Sequence, residues 1–208
     1  MVGGNNMLGT LSEKYESNGD PGAIGKNAGD AGGASYGKYQ FSSAFGVVDD
    51  FIQFCKNLGN GFYEILTRNP VGSLEFDTDW LYLSENFTQE FSDAQYNYTK
   101  SVYYDSARQK LIDELGIDIE THSQVLCDVV WSAAVQFSSN WITELFREAA
   151  EYAGKEIDEM TDADWIYWTY EVRLIDMSWS SGSPSLRPGL FNRWTNEREE
   201  ALAMLDKG

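Results

Sequence analysis

One histidine, two cysteines and a shortage of basic residues (15 against 33 acidic ones) bound what this 208-residue chain can do. His122 alone would have to serve any Ser-His-Asp triad. It lies between Thr121 and Ser123 at what reads as a helix start, a capping position rather than a catalytic one. A histidine-based zinc site is excluded, and Cys55 and Cys127, distant in sequence, do not supply one. Both cysteines fall in apolar, helix-like stretches and read as buried thiols rather than a disulfide framework. No Walker or dinucleotide glycine motif stands in a strand-turn-helix setting, so neither a metal nor a cofactor is expected. The net charge of −18 would repel a phosphate backbone and an anionic lipid surface alike, which argues against nucleic acid and membrane partners. No apolar run reaches the roughly 18 residues of a membrane-spanning helix. Met1-Val2-Gly3-Gly4-Asn5-Asn6 has neither the basic nor the apolar region of a signal peptide. Residues 1–7 read as a disordered extension, and residues 8–208 as one domain, free-standing as a monomer or part of a larger protein.

What the chain does have is glycine at one end and helical periodicity everywhere else. More than half of its 19 glycines fall in the first 46 residues, so that segment reads as turns and a hairpin. Thr10-Leu11-Ser12-Glu13 has the form of a capping box, predicting a helix over 11–17 that Asn18-Gly19-Asp20-Pro21-Gly22 stops. Phe45, Val48, Phe51, Ile52 and Cys55 recur at helical spacing and predict a helix over 42–58. Further helices are expected at 61–68, 74–85 and 88–115, the last ending at Gly116. Thr121-His122-Ser123-Gln124 resembles a second capping box and opens a segment apolar on most of its surface, the expected central helix. Helices over 139–153, 162–178 and 189–206 complete a mainly α (α+β) fold with a small N-terminal loop and β-hairpin insertion. Most of the aromatic residues, 14% of the chain, belong to its core; a minority suit a sugar-binding groove, since pyranose faces stack on rings.

The chemistry is expected at the junction of the first helix and the glycine loop. Cleaving a glycosidic bond usually takes two carboxyl groups, one protonated at the leaving oxygen and one ionised opposite it. Glu16, at a helix end beside Tyr15 and the Leu11 stripe, suits the acid, because apolar neighbours and the helix C-terminus both favour its neutral form. Its plainer reading is a surface charge on a short helix. Asp30, with Gly29 before it and Gly32-Gly33 after, suits the base; its plainer reading is an Asx-turn residue. Asp20, in a stock turn sequence, is the weaker alternative. Ser35 is suited to holding the nucleophilic water, and Tyr36, Tyr39, Gln40 and Gln136 are further candidates for substrate binding.

Tyr15-Glu16-Ser17-Asn18-Gly19-Asp20-Pro21-Gly22 followed by Ser35-Tyr36-Gly37-Lys38-Tyr39-Gln40 resembles the paired signature of the lysozyme superfamily. Asp30-Ala31-Gly32-Gly33-Ala34-Ser35-Tyr36-Gly37 is similar to the general-base stretch of its inverting chitosanases, with Ser35 in place of threonine. Val130-Trp131-Ser132-Ala133-Ala134-Val135-Gln136 and Leu190-Phe191-Asn192-Arg193-Trp194-Thr195-Asn196-Glu197-Arg198 resemble helices of phage-type and tail-associated peptidoglycan hydrolases. Where many of those carry His-Gly after Val-Gln, this chain has Phe137-Ser138. The resemblance implies a lysozyme-like fold whose hairpin forms one wall of a substrate groove. It implies a glycosidase cleaving the β-1,4 glycan of bacterial peptidoglycan, with Glu16 as acid and Asp30 as base. A phage endolysin or tail-associated lysin is the expected setting, held in the host cytoplasm until release or carried on a particle or secretion apparatus. A lytic transglycosylase using Glu16 alone and a chitosanase are the enzymatic alternatives, and a non-catalytic wall- or partner-binding domain is the alternative of another class.

Overall fold

The computed structural model describes residues 8, 9, 11, 19–26, 33–182 and 184–207. The chain divides into two compact units, Glu13–Ser101 and Met1–Ser12 with Val102–Gly208. Among the described residues the architecture is mainly helical with one small sheet.

In the unit Glu13–Ser101, three two-residue strands, β1 (Ile24–Gly25), β2 (Ser35–Tyr36) and β3 (Phe41–Ser42), form an antiparallel sheet in the order β1-β2-β3. Tyr36 is opposite both Ile24 and Phe41, so one residue sets the register of the sheet. Four helices follow or pack beside it: α1 (Val47–Leu58), α2 (Phe62–Leu66), α3 (Leu74–Asn86) and α4 (Thr88–Thr99). Helix α1 begins later than its periodicity predicts, because Phe41–Ser42 is strand and residues 43–46 turn. Phe45 is consequently 73% exposed rather than part of the buried stripe, while Val48, Phe51, Ile52 and Cys55 do line it. Asp49 and Asp50 in the first turn of α1 and Lys56 in its last suit the helix dipole. The core of this unit is aromatic. Tyr36 meets Phe76 edge-on with 5.2 Å between ring centres, Phe51 lies 5.6 Å from Trp80, and Trp80 lies 4.9 Å from Phe91.

After a π-helical turn at Lys100–Tyr104, the other unit is built from α5 (Asp105–Leu115), α6 (Gln124–Phe137), α7 (Ile142–Ala153), α8 (Asp162–Ile175) and α9 (Arg187–Leu205), joined by short 3₁₀ turns. Helix α6 is central: every residue from 126 to 134 is buried, Asp128 and Ser132 among them, as a helix apolar on most of its surface requires. Helices α7 and α8 pack against each other and α8 against α9. The start of α6 differs from the capping-box expectation. Ser123, not Thr121, is the N-cap, its Oγ accepting from Leu126 N. His122 instead meets Asp162 at the start of α8, with Nδ1 2.7 Å from Oδ1, and the other carboxylate oxygen accepts from Ser123 N. The aspartate thus ties the starts of α6 and α8 together. Burial resists its charge, but the bonds from Ser123 and His122 prevail and hold its carboxyl below the usual range. Cys55 and Cys127 are both free and buried, and burial pushes the Cys55 thiol up to about 12.

Candidate functional site

Glu16 and Asp30 lie outside the described residues. The described residues 19–26 and 33–40 make the following contacts. Asp20 is exposed, and its Oδ1 accepts from Gly22 N. Pro21 carbonyl oxygen accepts from both Trp80 Nε1, at 2.9 Å, and Gln95 Nε2, at 3.0 Å. Gln95 Oε1 takes the backbone N–H of Lys38 at 2.9 Å, so one fully buried amide clamps both sides of the hairpin. Gly37 has to be glycine: its φ is +76°, and a Cβ would stand 2.3 Å from Gln95 Oε1.

The same clamp decides what the sequence-predicted residues do. Ser35 Oγ donates to Gln40 Oε1 at 2.7 Å, and Gln40 Nε2 donates to Gly37 carbonyl at 2.9 Å. Gln40 itself sits in the left-handed region, φ 51°, with its side chain bracing the turn. Tyr36 is fully buried; its hydroxyl donates to Asp77 Oδ1, and burial together with that carboxylate pushes its acidity far down. Asp77 also pairs with Lys26. Tyr39 is buried, with the Lys38 ammonium 5.2 Å from its ring centre. These four residues form one turn-and-core constellation.

Gln136 belongs to the other unit, where its Oε1 accepts from Trp194 Nε1 at 2.8 Å. It lines a cavity of about 630 Å³ formed by the end of α6, the turn Ser139–Trp141, the exposed side of α7, the turns before α9 and its first residues. Ser138 makes this shape possible. Its φ of 68° and ψ of 151° end α6 abruptly and redirect the chain so that Trp141 stands at the mouth, 58% exposed. Trp179 forms the opposite wall, edge-on to Trp141 at 6.3 Å and to Phe137 at 5.0 Å. Its Nε1 donates to Glu148 Oε2 at 2.8 Å. Burial raises the Glu148 pKa; the Trp179 bond works against that shift, and Asp176, Glu144 and Glu151 add to it. Arg187 Nε donates to the Oγ of Ser180, one of the lining residues, at 2.8 Å.

Next to this cavity lies a buried charged cluster. Glu197, with no exposed surface, accepts from Ser132 Oγ and Tyr170 hydroxyl, each at 3.0 Å, and from Arg193 Nε at 2.6 Å. Arg173, equally buried, lies over the Tyr170 ring at 4.0 Å and donates from Nε to Thr169 carbonyl. Its Nη1 and Nη2 find no hydrogen-bond acceptor among the described residues. Burial pulls its pKa down, while Tyr170 and Glu197 oppose that.

Residues 8–198 match the family model of the type VI secretion system spike protein VgrG3-like, C-terminal. The chain belongs to that VgrG3-like C-terminal family. It is also 34% identical over 199 residues to the type VI secretion system spike protein VgrG3 of Vibrio cholerae serotype O1, covering 95% of this chain and 19% of that protein. The VgrG3-like chain therefore spans about a fifth of the length of this curated relative. The family is that of a secretion-apparatus spike protein, and among the described residues no helix is long and apolar enough to cross a membrane.

The VgrG3-like assignment corrects the identification drawn from short motifs. The chain is grouped with a secretion spike, not with lysozyme-like glycosidases, phage endolysins or tail-associated lysins. Peptidoglycan hydrolysis as the defining function falls with that identification, and so do its transglycosylase, chitosanase and wall-binding variants. The physical reason is visible at the hairpin. A Ser–Tyr–Gly–x–x–Gln stretch is what this tight turn requires of its own accord, with Ser35 and Gln40 bonded to each other, so matching it is weak evidence of chemistry. Sequence reading missed the cavity. Trp141 and Glu148 come from the start and middle of one stretch and Trp179 from 31 residues beyond Glu148, so no single motif announces the cavity.

Proposed function

We propose that the VgrG3-like chain is a module borne at the C-terminal end of a type VI secretion spike, leaving the producing cell with the spike and acting where the spike arrives. The match over residues 8–198 carries this reading. The test is a secretion assay on a spike protein ending in this chain. Its appearance in the medium should depend on a working type VI apparatus, and equal release from a strain without one would refute the reading.

We further propose that the module is an enzyme, a glycosidase with Glu16 as acid and Asp30 as the second carboxylate. Support comes from the sequence, which sets Glu16 and Asp30 on either side of a glycine-rich stretch whose Pro21 carbonyl accepts from Trp80 and Gln95. Reducing-end release from a panel of purified polysaccharides tests it. Glu16→Gln should lower the rate on the order of 10²–10⁴-fold with the fold unchanged by circular dichroism. A variant keeping more than about a tenth of the activity would remove Glu16 from that role.

A further inference from the structure

The walls of the cavity beside Gln136 combine two chemistries. Trp141, Trp179 and Phe137 offer aromatic surface, with Leu186 and Leu190 continuing it. Glu148 and Glu144, one turn apart on α7, present carboxylates to the same space. No lysine or arginine is among the lining residues described. Glu144 has Arg147 at 3.9 Å, a long pair on an exposed face, and the Arg187 guanidinium is engaged with Ser180 Oγ. Among the described residues Glu148 has no ion pair; its one partner is the indole N–H of Trp179.

A half-buried carboxylate without a cation is an unfavourable arrangement, and three further acidic side chains, Glu144, Asp176 and Glu151, make it worse. A protein gains nothing in stability from this. A ligand cation would remove the penalty and also find aromatic faces, which attract cations through their quadrupole. The volume of about 630 Å³ is that of a small-molecule site. We propose that this cavity binds a primary ammonium group carried on an alkyl stem, the ammonium against Glu148 and the stem along the faces that Trp141 and Trp179 leave open to the cavity. A free alkyl amine and a lysine side chain share that chemistry.

The Trp179 indole N–H reports the site directly, because its acceptor is Glu148. The experiment follows nitrogen-15 indole resonances during titration with 1,5-diaminopentane and, separately, with Nα-acetyl-lysine methylamide, at about 150 mM salt to screen diffuse attraction to a chain of net charge −18. Saturable shifts of Trp141 and Trp179 are expected with at least one probe, and the tighter one names the source. Glu148→Gln should weaken binding about tenfold or more, since it removes a charge-assisted bond. It should melt no lower than the parent, because it relieves the acidic cluster, so lost binding is not lost fold. Trp141→Ala should weaken binding several-fold. The exposed Glu199→Gln, nine residues beyond Leu190 on α9, should leave it unchanged. Any of three results would overturn the proposal: no saturation by either amine, equal binding of the Nε-acetylated lysine probe, or undiminished binding by Glu148→Gln.

Discussion

Truncating Glu197 to alanine tests the energetics of the unit Met1–Ser12 with Val102–Gly208 at its most sensitive point. The side chain is wholly buried and satisfies three donors: Ser132 Oγ, Tyr170 hydroxyl and Arg193 Nε. It also supplies charge opposing the burial of Arg173, whose Nη1 and Nη2 already lack a hydrogen-bonding partner among the described residues. Counting each bond to a charged group at about 1.5–3 kcal/mol would overstate the loss, because the three act as one unit. Breaking a buried pair from one side costs about 3–5 kcal/mol, and that is the expected change. It is a large fraction of the roughly 5–15 kcal/mol that holds a domain together. Urea unfolding followed by tryptophan fluorescence should show the midpoint falling with the slope unchanged. Removing both buried charges, Arg173→Met with Glu197→Leu, should recover part of the loss, since apolar replacement of buried charges is often close to neutral. A loss below about 1 kcal/mol for Glu197→Ala, or strict additivity of the separate Arg173→Met and Glu197→Leu changes in their double variant, would refute the view that this cluster is one electrostatic unit.

Two further outcomes are expected. Ser138→Gly should stabilise by about 1–3 kcal/mol, because φ 68° with ψ 151° is a backbone conformation nearly confined to glycine; an unchanged or lower melting temperature would contradict the strain. Asp164 accepts from Lys155 Nζ and from Thr161 Oγ1 and N, and these hold its carboxyl at about 2, below the ordinary 3.8. The folded value is the depressed one, so this contribution is intact above about pH 4 and disappears as pH falls toward about 2. A carbon-13 titration placing the Asp164 midpoint at 3.8 or higher would show the capping network absent.

The family assignment spans residues 8–198, whereas the motifs first read as chemistry were blocks of a few residues. Short blocks mislead where a turn has its own requirements. Gly37, Ser35 and Gln40 satisfy the backbone of a β-turn, and that need is met whatever the domain does.

What the sequence alone determined is local. A run from 126 to 134 that is apolar but for Asp128 and Ser132 reads as a central helix. Thr161 and Asp164, three residues apart, form the capping box that starts α8, and Gly116, φ 71°, ends α5. Each of these interactions closes within four residues, so propensity and pattern contain it. What the tertiary structure decided involves partners far apart in the chain. Asp162 takes His122 and Ser123 from 40 and 39 residues away, displacing the helix start that a capping-box pattern had placed at Thr121. Gln95 reaches Pro21 across 74 residues to fix the hairpin, and Trp179 reaches Glu148 across 31 to build the cavity. The composition at either end of such a bond is compatible with many pairings; only packing selects one, because a buried polar group must find whichever partner the fold brings within hydrogen-bonding distance.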